Sequence, residues 1–131
     1  MIGIGSDILD IRRIEKTLLK FGNRFKKRIF TSSEIEKCDK RRLSIKCYAK
    51  RFAAKEAAAK ALGTGFKEGV YWKDLEVINL PSGKPSMNFY GNSKKHLDSL
   101  IPKDNIPIVN LSITDEFPYA QAIVTINSEK I

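Results

Sequence analysis

The feature that most constrains this chain is the stretch from Ser44 to Leu62, which is rich in Ala, Lys and Glu and contains neither Gly nor Pro. This composition favours an α-helix of about five turns. Gly63 follows directly and is typical of a helix end. With 131 residues in all, the chain fits a single domain, residues 1–131, built around this long central helix.

Local signals predict further helices in the first half of the chain. Residues 1–8 alternate with the period of a strand. Asp10 can cap a helix that ends at Gly22. The run Thr31-Ser32-Ser33-Glu34 is a capping-box signature that begins a short helix through Cys38.

Strands dominate the second half, where turn residues separate short apolar runs. The pattern predicts a hairpin across a turn at 81–85, a weak helix over 92–101, and two strands over 106–114 and 119–126. Helices first and strands later indicate an α+β fold with an antiparallel sheet.

Scarce His and Cys residues exclude several kinds of site. Only His96 could act as an imidazole, and its polar surroundings favour a solvated helix face, so Ser-His-Asp chemistry is not expected. Cys38 and Cys47 lack the spacing of a zinc site. We interpret them as unpaired thiols in a reducing compartment. With no apolar run of membrane-spanning length and no leader pattern, we expect a cytoplasmic protein.

Glu56 is the most informative single residue of the long helix. An apolar stripe with helical spacing runs along this helix through Ile45, Tyr48, Ala49, Phe52 and Ala53. One turn beyond Phe52, the same stripe reaches Glu56. An exposed Glu56–Lys60 pair at i, i+4 is the structural alternative. No other acid lies between residues 40 and 60, where eight positive charges occur: Lys40, Arg41, Arg42, Lys46, Lys50, Arg51, Lys55 and Lys60.

Such a basic cluster predicts an anionic ligand: nucleic acid, phospholipid, an acidic protein or a phosphorylated small molecule. Phosphates beside a carboxylate need a cation between them, and Mg²⁺ is commonly held by one or two carboxylates plus the phosphates. Asp7 and Glu56 could form that pair. The segment Gly3–Ile8 is not a dinucleotide-binding loop, because Ile8 takes the place of the third glycine.

Three motifs together closely resemble the holo-acyl-carrier-protein synthase family over nearly the whole chain. They are Gly3-Ile4-Gly5-Ser6-Asp7-Ile8 with Arg13-Ile14, the run from Arg51-Phe52-Ala53-Ala54-Lys55-Glu56-Ala57 to Gly63-Thr64-Gly65, and Ser82-Gly83-Lys84-Pro85. The resemblance implies a cytoplasmic, Mg²⁺-dependent enzyme with the 4'-phosphopantetheinyl transferase fold. Such an enzyme transfers phosphopantetheine from coenzyme A to a serine of apo acyl carrier protein, releases 3',5'-ADP and supports fatty acid biosynthesis.

The resemblance also assigns roles to individual residues. It implies that Asp7 and Glu56 hold Mg²⁺, that Glu56 and Lys60 are catalytic, and that either Glu56 or a metal-bound water is the base. The residues implied to bind coenzyme A are Arg51, Lys55 and Lys60 at the phosphates, Gly83, Lys84 and Pro85 beside the adenine nucleotide, and Ser112 at a phosphate.

The C-terminal part of the chain departs from the family pattern. Asn110 stands where members often carry His, and Asp115 stands where some carry a second His. Both residues also fit polar groups at strand ends that close a turn. Their role stays open.

A second basic group lies on the first helix and on the loop predicted after it. The resemblance implies that Arg13, Arg24 and Arg28, with Phe25 as an apolar contact, dock the acidic acyl carrier protein. A solvated face is the alternative. The family further implies a homotrimer with active sites between subunits.

The net charge of +9 leaves one alternative of another class, a small basic nucleic-acid-binding module. No RRM, KH or zinc-finger signature occurs, and the aromatic residues sit at apolar positions. We therefore expect neither nucleic acid nor a membrane as a partner.

Overall fold

Five strands and five α-helices make up the fold, which a computed structural model describes for all residues 1–131. The arrangement confirms the predicted α+β class. In chain order the elements are β1 (Gly3–Asp10), α1 (Ile11–Phe21), α2 (Asn23–Ile29), α3 (Ser32–Asp39), α4 (Ser44–Leu62), a 3₁₀ turn (Trp72–Asp74), β2 (Leu75–Asn79), β3 (Pro85–Phe89), α5 (Gly91–Leu100), β4 (Asn105–Glu116) and β5 (Tyr119–Lys130).

The strands form a three-stranded antiparallel sheet in the order β1-β5-β4 and a separate antiparallel hairpin of β2 and β3. The central strand β5 pairs with both neighbours, so Asp7 lies opposite Ala122 and Asn110 lies opposite Thr125. In β1, every second residue faces α4 and the others face outward. Asp7 belongs to the inward set, while Ile4 and Ile8 are 59% and 60% exposed on the outer face.

Helix α4 packs across the inner face of the sheet, and small residues on both surfaces allow a close approach. Its alanines from Ala53 to Ala61 are buried. A Cβ added to Gly5 of β1 would overlap the carbonyl oxygen of Ala57, so the two backbones are in direct contact. No helix in the protein is long and apolar enough to cross a membrane.

Helix boundaries follow the predicted signals closely. The Asp10 side chain accepts a hydrogen bond from the Arg12 amide at the start of α1, and Thr31 with Glu34 forms a complete capping box at α3. Helix α4 ends at Gly63, whose φ of 83° suits glycine. The exception is α2, which was predicted as loop. Its start at Gly22 carries no side-chain cap, and so the sequence lacks a start signal there.

Cys38 and Cys47 form a disulfide. The expectation of two unpaired thiols is therefore wrong. Packing of α3 beside α4 brings the two Cα atoms to 5.4 Å, within the range that a disulfide needs. A separation of nine residues across a helix–helix connection does not reveal that approach.

Candidate active site

Asp7 and Glu56, the two carboxylates predicted to hold a metal, line one cavity of about 360 Å³. Strand β1 supplies Asp7, helix α4 supplies Glu56, and helix α1 adds Arg13 and Thr17. Contact between the backbones of β1 and α4 at Gly5 brings the two acids to the same cavity.

The Glu56 residue is partly buried, and its carboxylate makes no hydrogen bond or ion pair with the rest of the protein. Burial, followed by the nearby Asp7 carboxylate, raises the pKa of Glu56 above its usual value. Lys60 does not pair with Glu56 as the structural alternative required. Its Nζ instead lies 3.2 Å from Asp7 Oδ1 and donates to the Ser6 carbonyl oxygen at 3.0 Å.

The donor set of this cavity fits a hard divalent cation. Carboxylate oxygens are ligands that Mg²⁺ accepts, and Mg²⁺ commonly takes one or two of them while phosphates and water complete its octahedron. The protein has no cluster of three or more acidic, His or Cys side chains that could enclose a metal. Asp7 and Glu56 thus suit a metal shared with a phosphorylated ligand better than a closed structural site.

Apolar side chains, two of them aromatic, also line this cavity. Phe25 of α2 and Phe52 of α4 line it, with ring centroids 6.2 Å apart. Phe52 stacks in turn on Trp72 at 4.6 Å, and Trp72 stacks on Phe66 at 3.8 Å. The sequence placed Phe52 on an apolar stripe but gave no sign that this stripe lines the cavity.

Lys55 does not reach this cavity or any surface. Its side chain is fully buried, and its Nζ lies 2.6 Å from Glu34 Oε1. In this arrangement the ammonium group has no surface open to a phosphate, and the contact of Lys55 with coenzyme A stays a prediction. A step of one residue along a helix turns the side chain by roughly 100°, which directs Glu56 to the cavity and Lys55 into the core.

Arg51 is also nearly buried, with 6% of its surface exposed, but it lies beside the β2–β3 hairpin. Its guanidinium donates to Cys47 Sγ at 3.1 Å and to Asn79 Oδ1 at 3.4 Å, while its Nε has no partner. Asn79 donates onward to the Gly83 carbonyl oxygen at 3.1 Å. Arg51 is thus connected through Asn79 to the Gly83-Lys84-Pro85 loop. The contact of Arg51 with a phosphate stays a prediction.

A second cavity, of about 450 Å³, contains three of the residues predicted to bind coenzyme A. Lys84 and Pro85 line it together with Ser112 and Asn110 of β4 and Thr125 of β5. This cavity opens on the outer face of the sheet, whereas Asp7 lies on the inner face, toward the helix α4 that carries Glu56. On one chain, Asp7 and Glu56 therefore lie at a different cavity from Lys84, Pro85 and Ser112, and the other residues predicted to bind coenzyme A line neither cavity. Asn110 and Thr125 are cross-strand partners, a relationship that only strand register reveals.

Asp115 lies on the inner face of β4 and bridges two lysines of α4. Its carboxylate oxygens lie 2.6 Å from Lys46 Nζ and 3.4 Å from Lys50 Nζ. The hydrogen bond from Lys46 is the main cause that lowers the pKa of Asp115. Five of the eight basic residues predicted to attract an anion are therefore paired with an acid: Lys46 and Lys50 with Asp115, Lys40 with Glu36, Lys55 with Glu34 and Lys60 with Asp7.

The second basic group forms a groove along α1 and α2. Arg24, Phe25 and Arg28 line it with Thr17 and Phe21. Thr17 and Phe25 also line the cavity of Asp7 and Glu56. The groove therefore adjoins the cavity that Asp7 and Glu56 line.

Comparison with known proteins agrees with this arrangement. Residues 3–121 match the family model of the 4'-phosphopantetheinyl transferase superfamily. The chain is 53% identical over 131 residues to a holo-[acyl-carrier-protein] synthase of Chelativorans sp., covering 100% of this chain and 98% of the relative. It is 53% identical over 128 residues to the enzyme of Brucella ovis, with coverage of 98% and 96%.

Solved structures give the same result. The holo-[acyl-carrier-protein] synthase of Neisseria meningitidis superposes with a TM-score of 0.83 at 37% identity, covering 99% of both chains. That of Helicobacter pylori, in complex with coenzyme A, gives 0.77 at 31% identity and covers 95% of this chain and 99% of the other. The chain belongs to the 4'-phosphopantetheinyl transferase superfamily and, within it, to the holo-[acyl-carrier-protein] synthases.

Proposed function

We propose that this protein transfers the 4'-phosphopantetheine group of coenzyme A to a serine of apo acyl carrier protein and releases 3',5'-ADP. The observation that carries the proposal is the Asp7–Glu56 carboxylate pair in one cavity, with the Lys60 ammonium beside Asp7. Solved relatives from Helicobacter pylori and Bacillus anthracis were crystallised in complex with coenzyme A or its 3',5'-ADP part.

Asp7 and Glu56 would hold Mg²⁺ against the diphosphate of coenzyme A. The ion, when bound, neutralises negative charge that develops on the diphosphate during transfer. Lys60 Nζ, half exposed and able to move from Asp7 to a phosphate oxygen, would donate to the oxygen of the departing nucleotide.

Transfer forms a bond between the serine oxygen and the β-phosphorus and breaks the bond from that phosphorus to the departing 3',5'-ADP. The serine proton needs an acceptor. Glu56 is the candidate within the chain, because its carboxylate lines the cavity and has no partner in the protein. No histidine lines the cavity.

We further propose that the nucleotide end of coenzyme A occupies the cavity of Lys84, Pro85 and Ser112 on a neighbouring copy, in a homotrimer. The separation of the two cavities on one chain supports this arrangement. So does the outer face of the sheet, where Ile4, Ile8 and Ile123 leave apolar surface beside the second cavity. A neighbouring subunit would cover that surface.

The groove of Arg24, Phe25 and Arg28, together with Arg13, would receive the acidic carrier protein. A cationic surface steers an anionic partner and acts mainly on the association rate. The groove adjoins the cavity of the carboxylate pair, and a docked carrier would therefore present its serine near the diphosphate. We place this activity in the cytoplasm, in support of fatty acid biosynthesis.

Mass spectrometry of apo acyl carrier protein tests the proposal directly. Incubation with this protein, coenzyme A and Mg²⁺ should add one phosphopantetheine group to the carrier, and a carrier with its acceptor serine changed to Ala should stay unmodified. An unmodified wild-type carrier would refute the activity. Analytical ultracentrifugation tests the trimer. For the nucleic-acid alternative, the test is binding to random duplex DNA, and a steep salt dependence of that binding would favour it.

A further inference from the structure

Glu34 and Lys55 are an acid and a base enclosed in the core of the protein. Their side chains are fully buried, and Glu34 Oε1 lies 2.6 Å from Lys55 Nζ. Neither residue lines the cavity of Asp7 and Glu56 or the cavity of Lys84. The proposed chemistry does not use them, so their presence needs another explanation.

Lys55 Nζ has a complete set of three acceptors. Besides Glu34, it donates to the carbonyl oxygen of Ile29 at 2.9 Å and to that of Trp72 at 3.2 Å. Ile29 is the last residue of α2, where carbonyl groups lack helical partners and the helix dipole favours a cation. Lys55 therefore fastens the C-terminal end of α2 to the middle of α4.

Glu34 connects the same point to two further elements. Its Oε1 accepts from the Thr31 amide at 2.9 Å in the capping box of α3, and its Oε2 accepts from the Val77 amide of β2 at 3.0 Å. The ion pair thus joins α2, α3, α4, the 3₁₀ turn and the β2–β3 hairpin through side-chain contacts at one place.

Stability alone is a weak reason for such a pair. The free energy needed to remove two charges from water offsets much of the free energy gained from their attraction. Apolar replacements of buried pairs are often neutral or stabilising. Burial here is the leading cause that lowers the pKa of Lys55, which shows the same penalty. What apolar residues could not supply is the directed contact with the carbonyl oxygen of Ile29.

That contact fixes a helix that carries part of the carrier-protein groove. Arg28 directly precedes Ile29, and Arg24 and Phe25 lie one turn earlier on α2. Glu56 directly follows Lys55 on α4. One side chain therefore ties the groove to the helix that bears the metal carboxylate.

We propose that Lys55 and Glu34 are positioning residues for the carrier-protein half of the reaction, which hold α2 and its groove at a fixed place relative to Glu56. The proposal rests on the transferase activity proposed above. It gives Lys55 a role through α2, separate from the phosphate contact that its sequence position suggested.

Two variants separate positioning from stability. Lys55→Met removes the ammonium and leaves the Glu34 carboxylate buried without a counter-charge, so it should unfold at lower urea concentration than wild type. The double variant Glu34→Gln/Lys55→Met has no unpaired charge and should recover most of that loss. In both variants we expect the KM for apo acyl carrier protein to rise about tenfold, while the KM for coenzyme A changes less than about twofold.

Glu36→Gln is the matched control. It removes one acid from α3 two residues after Glu34, at a solvent-exposed pair with Lys40. It should leave both KM values at the wild-type level. If Lys55→Met does not fold, the double variant alone supports the same comparison.

Amide hydrogen exchange on the substrate-free protein tests the geometry without any assay of activity. The α2 amides that are hydrogen-bonded within the helix should lose protection in the double variant, while those of α5 keep it. A double variant with wild-type stability, wild-type KM for the carrier and protected α2 amides would overturn the positioning role. The role would also be overturned if the KM values for both substrates rose in Lys55→Met, where stability is lost, and returned to wild type in the double variant, where stability is recovered. A wild-type protein that modifies no carrier would refute the proposed activity, and the exchange result would still decide whether the pair holds α2.

Discussion

Gly5 of β1 lies directly against the carbonyl oxygen of Ala57 in α4, with no space for a side chain between the two backbones. Asp7 follows Gly5 by two residues on the same face of its strand, and Glu56 directly precedes Ala57. This backbone contact therefore sets how closely the main chain at Asp7 approaches the main chain at Glu56.

Replacing Gly5 with Ala should separate β1 from α4 and lower transfer activity. Overpacking of this kind typically costs about 1–3 kcal/mol, measurable as a lower midpoint of urea unfolding. Ser6→Ala is the control, because the Ser6 side chain points outward and its carbonyl oxygen still accepts from Lys60. Equal stability and activity of the Gly5 variant and wild type would contradict the close contact.

Glu56→Gln should abolish transfer while it preserves the helix, because Gln propagates a helix nearly as well as Glu but supplies no charge to Mg²⁺. Asp7→Asn should behave in the same way. Circular dichroism checks that both variants fold, and the transfer rate is followed against Mg²⁺ concentration. Normal turnover of Glu56→Gln at low Mg²⁺ would remove Glu56 from the metal site.

Reversing one charge of the carrier groove should affect one substrate selectively. Arg24→Glu should raise the KM for acyl carrier protein far more than the KM for coenzyme A. Added salt screens exposed charges, so it should bring the carrier KM values of Arg24→Glu and wild type closer together. Lys95→Glu on α5 changes the net charge equally at a distance from the groove and should have little effect. Equal changes for both substrates would argue against docking at Arg24.

Arg51 should contribute to binding of the 3'-phosphate of coenzyme A. Coenzyme A lacking that phosphate should bind wild type more weakly, since a charge-assisted hydrogen bond is lost. The loss should shrink in Arg51→Ala, because a contact already removed cannot be lost twice. Calorimetry over the four combinations measures this coupling, and additive effects would leave Arg51 with only its support of Asn79 and the hairpin.

Asp39 should make stability depend on pH in the acid range. Hydrogen bonds from Lys26 and then from Tyr48 lower its pKa below the ordinary value of 3.8. A depressed carboxyl pKa stabilises the fold fully above the unfolded-state pKa, and this contribution disappears as pH falls through the folded-state pKa. Asp39→Asn should therefore unfold more easily than wild type at pH 7, by up to about 1 kcal/mol for so exposed a pair. The difference in unfolding free energy between Asp39→Asn and wild type should shrink as the pH falls below about 3.8. Urea titrations at neutral pH and in that acid range would show this.

Local sequence signals were sufficient for most elements of the fold. The capping box at Thr31, the alanine-rich stretch that ends at Gly63 and the turn residues between β2 and β3 each act within a few residues, and the predicted elements occur there. Helix α2 lacks such a signal and was missed. The disulfide of Cys38 and Cys47 depends on how α3 packs on α4, which no local pattern encodes.

The candidate site shows the same limit for individual side chains. Asp7 and Glu56 could be paired from charge and spacing, and both line one cavity. Lys55 could not be separated from its neighbours in the basic cluster, because a single sequence gives no indication of which lysine meets a buried acid. Glu34 carried only a capping role in the sequence, and its contact with Lys55 arises from tertiary packing.

Strand order has a further consequence for how the protein matures on the ribosome. β1 has one partner strand, β5, although it is made first and β5 is made last among the strands. During synthesis Asp7 therefore belongs to an unpaired segment, while α4 with Glu56 has already emerged. A nascent chain interrupted before Tyr119 would contain every residue that we assign to the metal, coenzyme A and the carrier, and would still lack the strand that holds Asp7 in place.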